Sequence, residues 1–226
     1  MPESLLKCFN EENDYEIGVD EVGRGPMFGR VYTAAVILPK DDSFKHEDMK
    51  DSKRFHSKKK IEATAEYIKE NALAWAITYE DETVIDKINI RQATLKSMHN
   101  SIKTLLTKYL NELKITPEQK LKLIVDGNDF KPVCYDLYNT TDIRYLDHVC
   151  VEGGDNKYTC IAAASILAKV ERDAYINDLC KEYPYLCERY KIDSNKGYGA
   201  KAHMDGIKNY GITKWHRKTY GICKQY

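Results

Sequence analysis

A short, almost wholly apolar run from Leu121 to Val125 stops abruptly at Asp126-Gly127-Asn128. Such a run is the pattern of a strand covered on both faces, because neither side of it meets water. A chain that carries one must supply layers above and below a sheet, and two long stretches of helical period are available for this. Ile90, Ala93, Met98, Ile102, Leu105, Leu106, Tyr109 and Leu113 put one apolar face on a helix from about Asn89 to Leu113. Ile161 to Leu179 alternates small and large apolar residues at the same period, with Ala162, Ala163, Ala164 and Ser165 permitting close approach to a sheet.

The remaining segments fit an α/β protein. A first strand is predicted at Ile17 to Asp20, closed by the turn formers Gly23, Gly25 and Pro26. A second, Val31 to Leu38, is rich in small and β-branched residues and ends at Pro39, so the two form a buried hairpin. Ser57 has the character of an N-cap for an amphipathic helix reaching about Asn71, followed by a third strand at Ala72 to Tyr79. Thr116 and Pro117 break the chain before the buried strand, and a fifth strand is expected at Tyr145 to Val151. With 226 residues and no repeat, low-complexity segment or linker, residues 1–226 are expected to form a single domain. Its catalytic α/β core would span about 15–180 and a C-terminal helical part about 181–226.

Composition narrows the function. The chain is 42% hydrophobic and 31% charged, as in an ordinary globular protein. No stretch approaches the ~20 apolar residues of a membrane span. The apolar run after Met1 is too short for a secretory signal and acidic residues follow it, so a soluble, cytoplasmic protein without membrane contact is expected. Seven cysteines with no CxxC pair suggest reduced thiols, and six histidines without an HExxH pattern argue against zinc. Net charge is zero but unevenly spread. Acidic residues crowd the N-terminus (Glu3, Glu11, Glu12, Asp14, Glu16), while Lys50 to Lys60 and Lys196 to Lys218 are basic enough to meet a nucleic acid.

Carboxylates gather at strand ends: Asp20 and Glu21 after the first, Asp126 after the fourth, Asp155 shortly after the fifth. In an open α/β sheet such ends converge where ligands bind. Two carboxylates about 4 Å apart repel by roughly 4 kcal/mol, so a cluster of four implies a cation. Oxygen-only ligands favour Mg²⁺ or Mn²⁺, and two such ions could activate a water and stabilise the leaving oxygen of a phosphodiester. Neighbours on a strand point to opposite faces, so Glu21 can join Asp20 only if the strand has already ended, as the following glycines suggest. Taken alone, Asp-Gly-Asn is more often a turn.

Gly23-Arg24-Gly25-Pro26-Met27-Phe28-Gly29 misses both the dinucleotide and the P-loop glycine patterns. Beside a metal site, its glycines would let backbone atoms approach a sugar and its phosphate, with Arg24 able to contact a phosphate. Close backbone contact to a 2′-hydroxyl is one way to tell RNA from DNA. Gly18 to Pro26 (GVDEVGRGP), Asp51-Ser52-Lys53, Asp126-Gly127-Asn128, Ile161 to Val170 (IAAASILAKV) with Arg172-Asp173, Asn195 to Gly199 (NKGYG), and His216-Arg217 resemble, in order, the motifs of the ribonuclease HII family. The resemblance runs from about Ile17 to Tyr220.

That resemblance implies a ribonuclease H-like mixed five-stranded sheet flanked by helices, with a C-terminal helical extension. It implies cleavage of the RNA strand of RNA/DNA hybrids and of ribonucleotide-containing duplex DNA, 5′ to the ribonucleotide, leaving 3′-hydroxyl and 5′-phosphate ends. A role in ribonucleotide excision repair goes with that activity. Asp20, Glu21, Asp126 and Asp155 would be the catalytic metal ligands. Gly23, Arg24, Gly25 and Tyr198 would read the ribose–deoxyribose junction, and Lys53 would hold a phosphate. A monomer is expected. No clamp-binding tail is expected either, since the chain stops at Tyr226. Ser165 and Lys169 could suggest a Ser-Lys hydrolase, but residues that deep in an apolar helix usually pack or cap. His203 and His216 are expected to be structural or phosphate-near. Two departures stand out: Gly153 replaces the usual basic residue before Gly154-Asp155, and Arg30, where a small residue is common, is expected to restore positive charge. A metal nuclease of another kind on the same broad fold, and a binding module that grips hybrids without cutting, are the alternatives.

Overall fold

The computed structural model describes residues 4–113, 115–116, 119–135 and 144–226. Glu3 of the acidic N-terminus and the helix-breaking Pro117 lie outside the described residues. In chain order the elements are β1 (Tyr15–Val22), β2 (Val31–Ile37), α1 (Lys58–Asn71), β3 (Ala74–Glu80), α2 (Glu82–Ile88) and α3 (Ile90–Leu113). Then come β4 (Leu121–Asp126), β5 (Cys134–Tyr135), β6 (Arg144–Tyr145), β7 (Asp147–Val151), α4 (Thr159–Glu182), α5 (Tyr185–Tyr190), α6 (Ile192–Asn195) and α7 (Lys201–Tyr210).

The main sheet is five-stranded in the order β3-β2-β1-β4-β7. Its β1–β2 and β2–β3 pairs are antiparallel, whereas β1–β4 and β4–β7 are parallel, so the sheet is mixed. Alternation along each strand sends side chains to two apolar layers. Ala34, Val36 and Ile124 pack with Ile161, Ala164 and Ala168 of α4 and with Ile61, Ala65 and Ile68 of α1. Ile17, Val19, Leu123 and Val125 pack on the other face with Met98, Ile102, Leu105 and Leu106 of α3. The expectation for the buried strand is thus met, with a helix over each side.

At Gly18 the approach of α4 is so close that a Cβ would sit 2.3 Å from the carbonyl carbon of Cys160. Glycine here sets the height of the helix over the strand. A third cluster joins α4 to the C-terminal helices through Ile176, Leu186, Tyr190, Ile192 and Ile207. Phe28, from the glycine loop, is wholly buried in it.

Three differences from the sequence reading have physical causes. Helix α2, absent from that reading, has only 7 residues, too few for a periodic signal, and Asn89 at φ 66° separates it from α3. The strand expected from Tyr145 begins at Asp147, because Tyr145 pairs with Cys134 in a separate two-stranded sheet. The first strand runs past Asp20 to Val22, because β2 continues to pair with it through Val22↔Tyr32.

Candidate functional site

The parallel ladder between β1 and β4 ends at Val19↔Val125, while β1 stays paired to β2 for three further residues, Asp20 to Val22. A gap therefore opens between β1 and β4 at their carboxyl ends. Asp20 and Glu21 border this gap beside Asp126, and one ligand oxygen from each of the three lies within 4.8 Å of the others. Glu21 is inside the strand, not beyond it, so the expectation that the strand has ended is corrected. Alternation does turn it toward α3, where it shares a cleft with Arg91, Thr94 and Met98. It meets Asp20 because, among the described residues, no strand pairs with the β4-facing edge of β1 beyond Val19. The Asp20 carboxylate folds back to accept the Glu21 N–H at 2.6 Å, and a Glu21 carboxylate oxygen lies within 4.8 Å of ligand oxygens of Asp20 and Asp126.

Asp155 lines the same cavity, about 230 Å³, with Asp20, Glu21, Asp126, Lys53 and Tyr198, but it lies outside the tight group of three. It sits on the single turn Gly154–Asn156, and Asp126 holds that turn: its Oδ1 accepts the Gly154 N–H at 2.6 Å. Burial, followed by the charges of Glu21 and Asp126, pushes the Asp20 carboxyl well above the usual range. Burial also pushes Glu21 up to about 7, with Arg24 opposing and Asp126 adding to the rise. Asp155 is raised by burial, then by Asp51 and Asp126. Burial disfavours the Lys53 ammonium, yet the carboxylates of Asp51, Asp155, Asp20 and Asp126 outweigh it and raise its pKa. Acids held back from ionising, with oxygen as the sole donor type, fit a hard divalent cation.

The glycine loop borders the cavity and is held from behind. The fully buried guanidinium of Arg217 donates to the carbonyls of Gly23 (2.6 Å), Arg24 (3.0 Å), Pro26 (2.7 Å) and Gly29 (2.8 Å). Arg172, equally buried, donates to those of Phe28, Arg30 and Lys196. Gly23 has φ +98°, and a Cβ there would meet Arg172 Nε at 2.4 Å, so only glycine fits. Gly25 faces the ring of the half-exposed Tyr198, with a Cβ at Gly25 falling 3.4 Å from Tyr198 Cε1. Arg24 reaches Glu21 at 3.4 Å. In the sequence Arg172 and Arg217 stand out only as motif members; in the fold their buried guanidinium groups shape the loop.

His203 and His216 are buried and hydrogen-bonded Nε2 to Nε2 at 3.1 Å. The Thr213 backbone N–H donates to His216 Nδ1, so the His216 proton is on Nε2 and points at His203. His203 then carries its proton on Nδ1 and donates to the Tyr198 carbonyl at 2.9 Å. Burial lowers both pKa values, His216 to about 3, so both imidazoles are neutral and neither is placed as a general base.

Ser165 does more than pack: it lines the carboxylate cavity, where its hydroxyl favours the ionised form of Asp20, and it meets Ser52 Oγ at 3.0 Å. Lys169 pairs with Asp173 at 2.5 Å, which leaves no Ser-Lys dyad. Arg30 does not restore charge beside the carboxylates. Its guanidinium is stacked 3.9 Å from the Tyr79 ring centre and 4.3 Å from that of Tyr175. Gly153 adopts the left-handed φ of +62°, which a basic residue would strain. All seven cysteines are free, and among the described residues no helix is long and apolar enough to cross a membrane.

Comparison with known proteins agrees with this geometry. The model of the Ribonuclease HII family matches residues 17–222. A Ribonuclease HII from Parabacteroides distasonis is 42% identical over 221 residues, covering 98% of this chain and 97% of that protein. Among solved structures, the ribonuclease H2 from Pyrococcus horikoshii superposes with a TM-score of 0.69 at 21% identity, over 93% of this chain and 96% of that one. The RNase HII of Archaeoglobus fulgidus, solved as a complex with PCNA, gives 0.62 at 25% identity over 92% and 96%.

Proposed function

This chain belongs to the ribonuclease HII family and is a ribonuclease H; from that premise we propose that it cuts the RNA strand of RNA/DNA hybrids and duplex DNA 5′ to embedded ribonucleotides, leaving 3′-hydroxyl and 5′-phosphate ends. The observation that supports this reading is the meeting of Asp20, Glu21 and Asp126 within 4.8 Å, in a cavity whose other walls are Asp155, Lys53, the glycine loop and Tyr198. On this reading the protein works as an intracellular monomer in the removal of ribonucleotides from DNA.

Asp20, Glu21, Asp126 and Asp155 would hold Mg²⁺ or Mn²⁺, which would supply the polarising charge for activating water and stabilising the leaving oxygen. Lys53 and Arg24 hold backbone phosphates at the cavity mouth. Gly23 and Gly25, free of side chains, bring their backbone against the ribose, where a 2′-hydroxyl distinguishes RNA from DNA. Tyr198 closes the sugar pocket opposite Gly25, and Arg172 and Arg217 keep the loop in register.

Incubating the protein with a labelled duplex containing one ribonucleotide, with and without Mg²⁺, tests this directly. Cleavage 5′ to the ribonucleotide in Mg²⁺ alone is expected. Efficient cutting of an all-DNA duplex would favour a different nuclease, and binding without turnover would favour a hybrid-binding module.

A pH dependence also follows from Glu21. Its folded pKa of about 7 exceeds the ordinary value of 4.5, so between those limits the folded protein keeps a proton that the unfolded chain has released. Metal-free stability therefore falls as pH rises from 4.5 to 7, by at most about 3 kcal/mol from this group. A cation that neutralises the site relieves the loss, so millimolar Mn²⁺ is expected to raise the Tm more at pH 8 than at pH 5. Equal gains at both pH values would contradict this account.

A further inference from the structure

Next to the carboxylate cavity, and sharing Ser52 and Lys169 with it, is a second cavity of about 430 Å³. Lys58 at the start of α1, Lys169 and Asn177 of α4, and Lys196 line it. Its one carboxylate, Asp173, is already paired with Lys169. Lys196 is half-buried, and its Nζ meets the neutral amide oxygen of Asn177 at 2.9 Å. Lys58 has a loose, exposed contact of 3.7 Å with Glu62. Three ammonium groups thus line one cavity: Asp173 neutralises Lys169, Glu62 meets Lys58 only loosely, and Lys196 is held by a neutral amide. Burial holds the Lys196 pKa below its ordinary value, with Asp173 opposing it and Lys169 and Lys58 adding smaller downward pushes.

Helix α1 supplies an independent observation. It opens with Lys58, Lys59 and Lys60 and has no acidic residue in its first turn. A helix start carries partial positive charge and favours anions there, so lysines in the first turn oppose the macrodipole and cost stability. Local choices that disagree with the fold are characteristic of functional positions. Of the basic residues from Lys50 to Lys60, only Lys53 lines the carboxylate cavity. An anion seated against Lys58 and Lys196, beside the Lys169–Asp173 pair, would satisfy the helix start and the half-buried ammonium together.

We propose that this cavity is a second phosphate-binding site, which takes a backbone phosphate of the nucleic acid where the strand runs on from the carboxylate cavity. The proposal rests on the reading of the carboxylate cavity as the cutting site. Because the two cavities are contiguous through Ser52 and Lys169, a chain of phosphates can occupy both, whereas a free phosphate would use only the second.

The test is kcat/KM on a duplex with one ribonucleotide, measured from 50 to 200 mM salt, for wild type, Lys58→Gln, Lys196→Gln and the double variant. Lys87→Gln, which lines neither cavity, is the control. The double variant is expected to raise KM about tenfold at 150 mM salt, and its dependence on log salt to become shallower by about one, the loss of one phosphate contact. Lys87→Gln is expected to leave the slope alone. Lys58→Gln is also expected to raise the Tm, because it removes a charge that opposes the helix; a merely structural lysine would lower the Tm and leave the salt slope unchanged. If Lys196→Gln misfolds, Lys58→Gln alone carries the test, since its position is exposed.

An unchanged slope in folded variants overturns the proposal. So does a result in which inorganic phosphate raises the Tm of wild type but not of the double variant while the slope stays fixed, because the site would then serve a free anion. Failure of the wild type to cut the ribonucleotide duplex at all would refute the reading of the carboxylate cavity, and is distinct from either outcome.

Discussion

Asp126→Asn is expected to slow cleavage by about three powers of ten or more, about 4 kcal/mol of barrier. The substitution isolates charge from shape. Asp126 Oδ1 accepts the Gly154 N–H, and an asparagine amide oxygen accepts it equally well, so the turn bearing Asp155 stays in place. What disappears is one negative charge of the three that meet within 4.8 Å. Single-turnover rates at saturating Mg²⁺, on protein shown by circular dichroism to be folded, measure the effect. Asp126 helps to raise the pKa of both Asp20 and Glu21, so the metal-free variant is also expected to melt above wild type at pH 8. A folded variant with full activity would refute the assignment of Asp126.

The second large effect is on stability and comes from the C-terminal segment. Arg217→Met keeps much of the side-chain volume but removes every donor, and leaves the carbonyls of Gly23, Arg24, Pro26 and Gly29 without the guanidinium that they face. Tyr220 still reaches Arg24, but the other three lose their side-chain donor. Buried polar groups left unpaired cost about 1–3 kcal/mol each, so for three carbonyls a loss of at least about 3 kcal/mol is expected in urea denaturation. Burial lowers the Arg217 pKa to about 10, which still leaves it charged at neutral pH, and no lysine can reproduce its fork of donors. The surviving protein is expected to discriminate less between ribonucleotide-containing and all-DNA duplexes, since the loop is released. A loss below about 1 kcal/mol would show that the carbonyls find other donors.

The elements that were legible in the sequence are those whose burial is regular. Leu121 to Val125 and Ile161 to Leu179 announce a doubly covered strand and its helix because packing on both faces demands apolar residues at a fixed period. Glu21 was misplaced for the opposite reason. The glycines after it suggest a strand end, but the extent of β1 is set by its partner β2, which no local signal reveals. The carboxylates at strand ends were legible as a candidate cation site, because open sheets gather ligands there, but their assignment as one catalytic metal set came from the resemblance, since spacing in sequence does not say which strand ends become neighbours. The roles of Arg172 and Arg217 were hidden by their partners: they bond to carbonyls, which every residue has, and not to acids that could be picked out. Arg30 was misassigned because its surroundings, Tyr79 and Tyr175, come from distant elements.

The two buried histidines have a bearing on how steadily the tyrosine beside the cavity is presented. Imidazoles normally gain and lose protons near neutrality and so make natural acidity sensors. In this pair the Thr213 amide at one end and the Tyr198 carbonyl at the other dictate where each hydrogen resides, and the surrounding apolar packing keeps further protons out until about pH 3 at His216. A residue type known for responsiveness has here become an inert strut, which anchors the backbone of Tyr198 identically in mildly acidic and mildly alkaline surroundings.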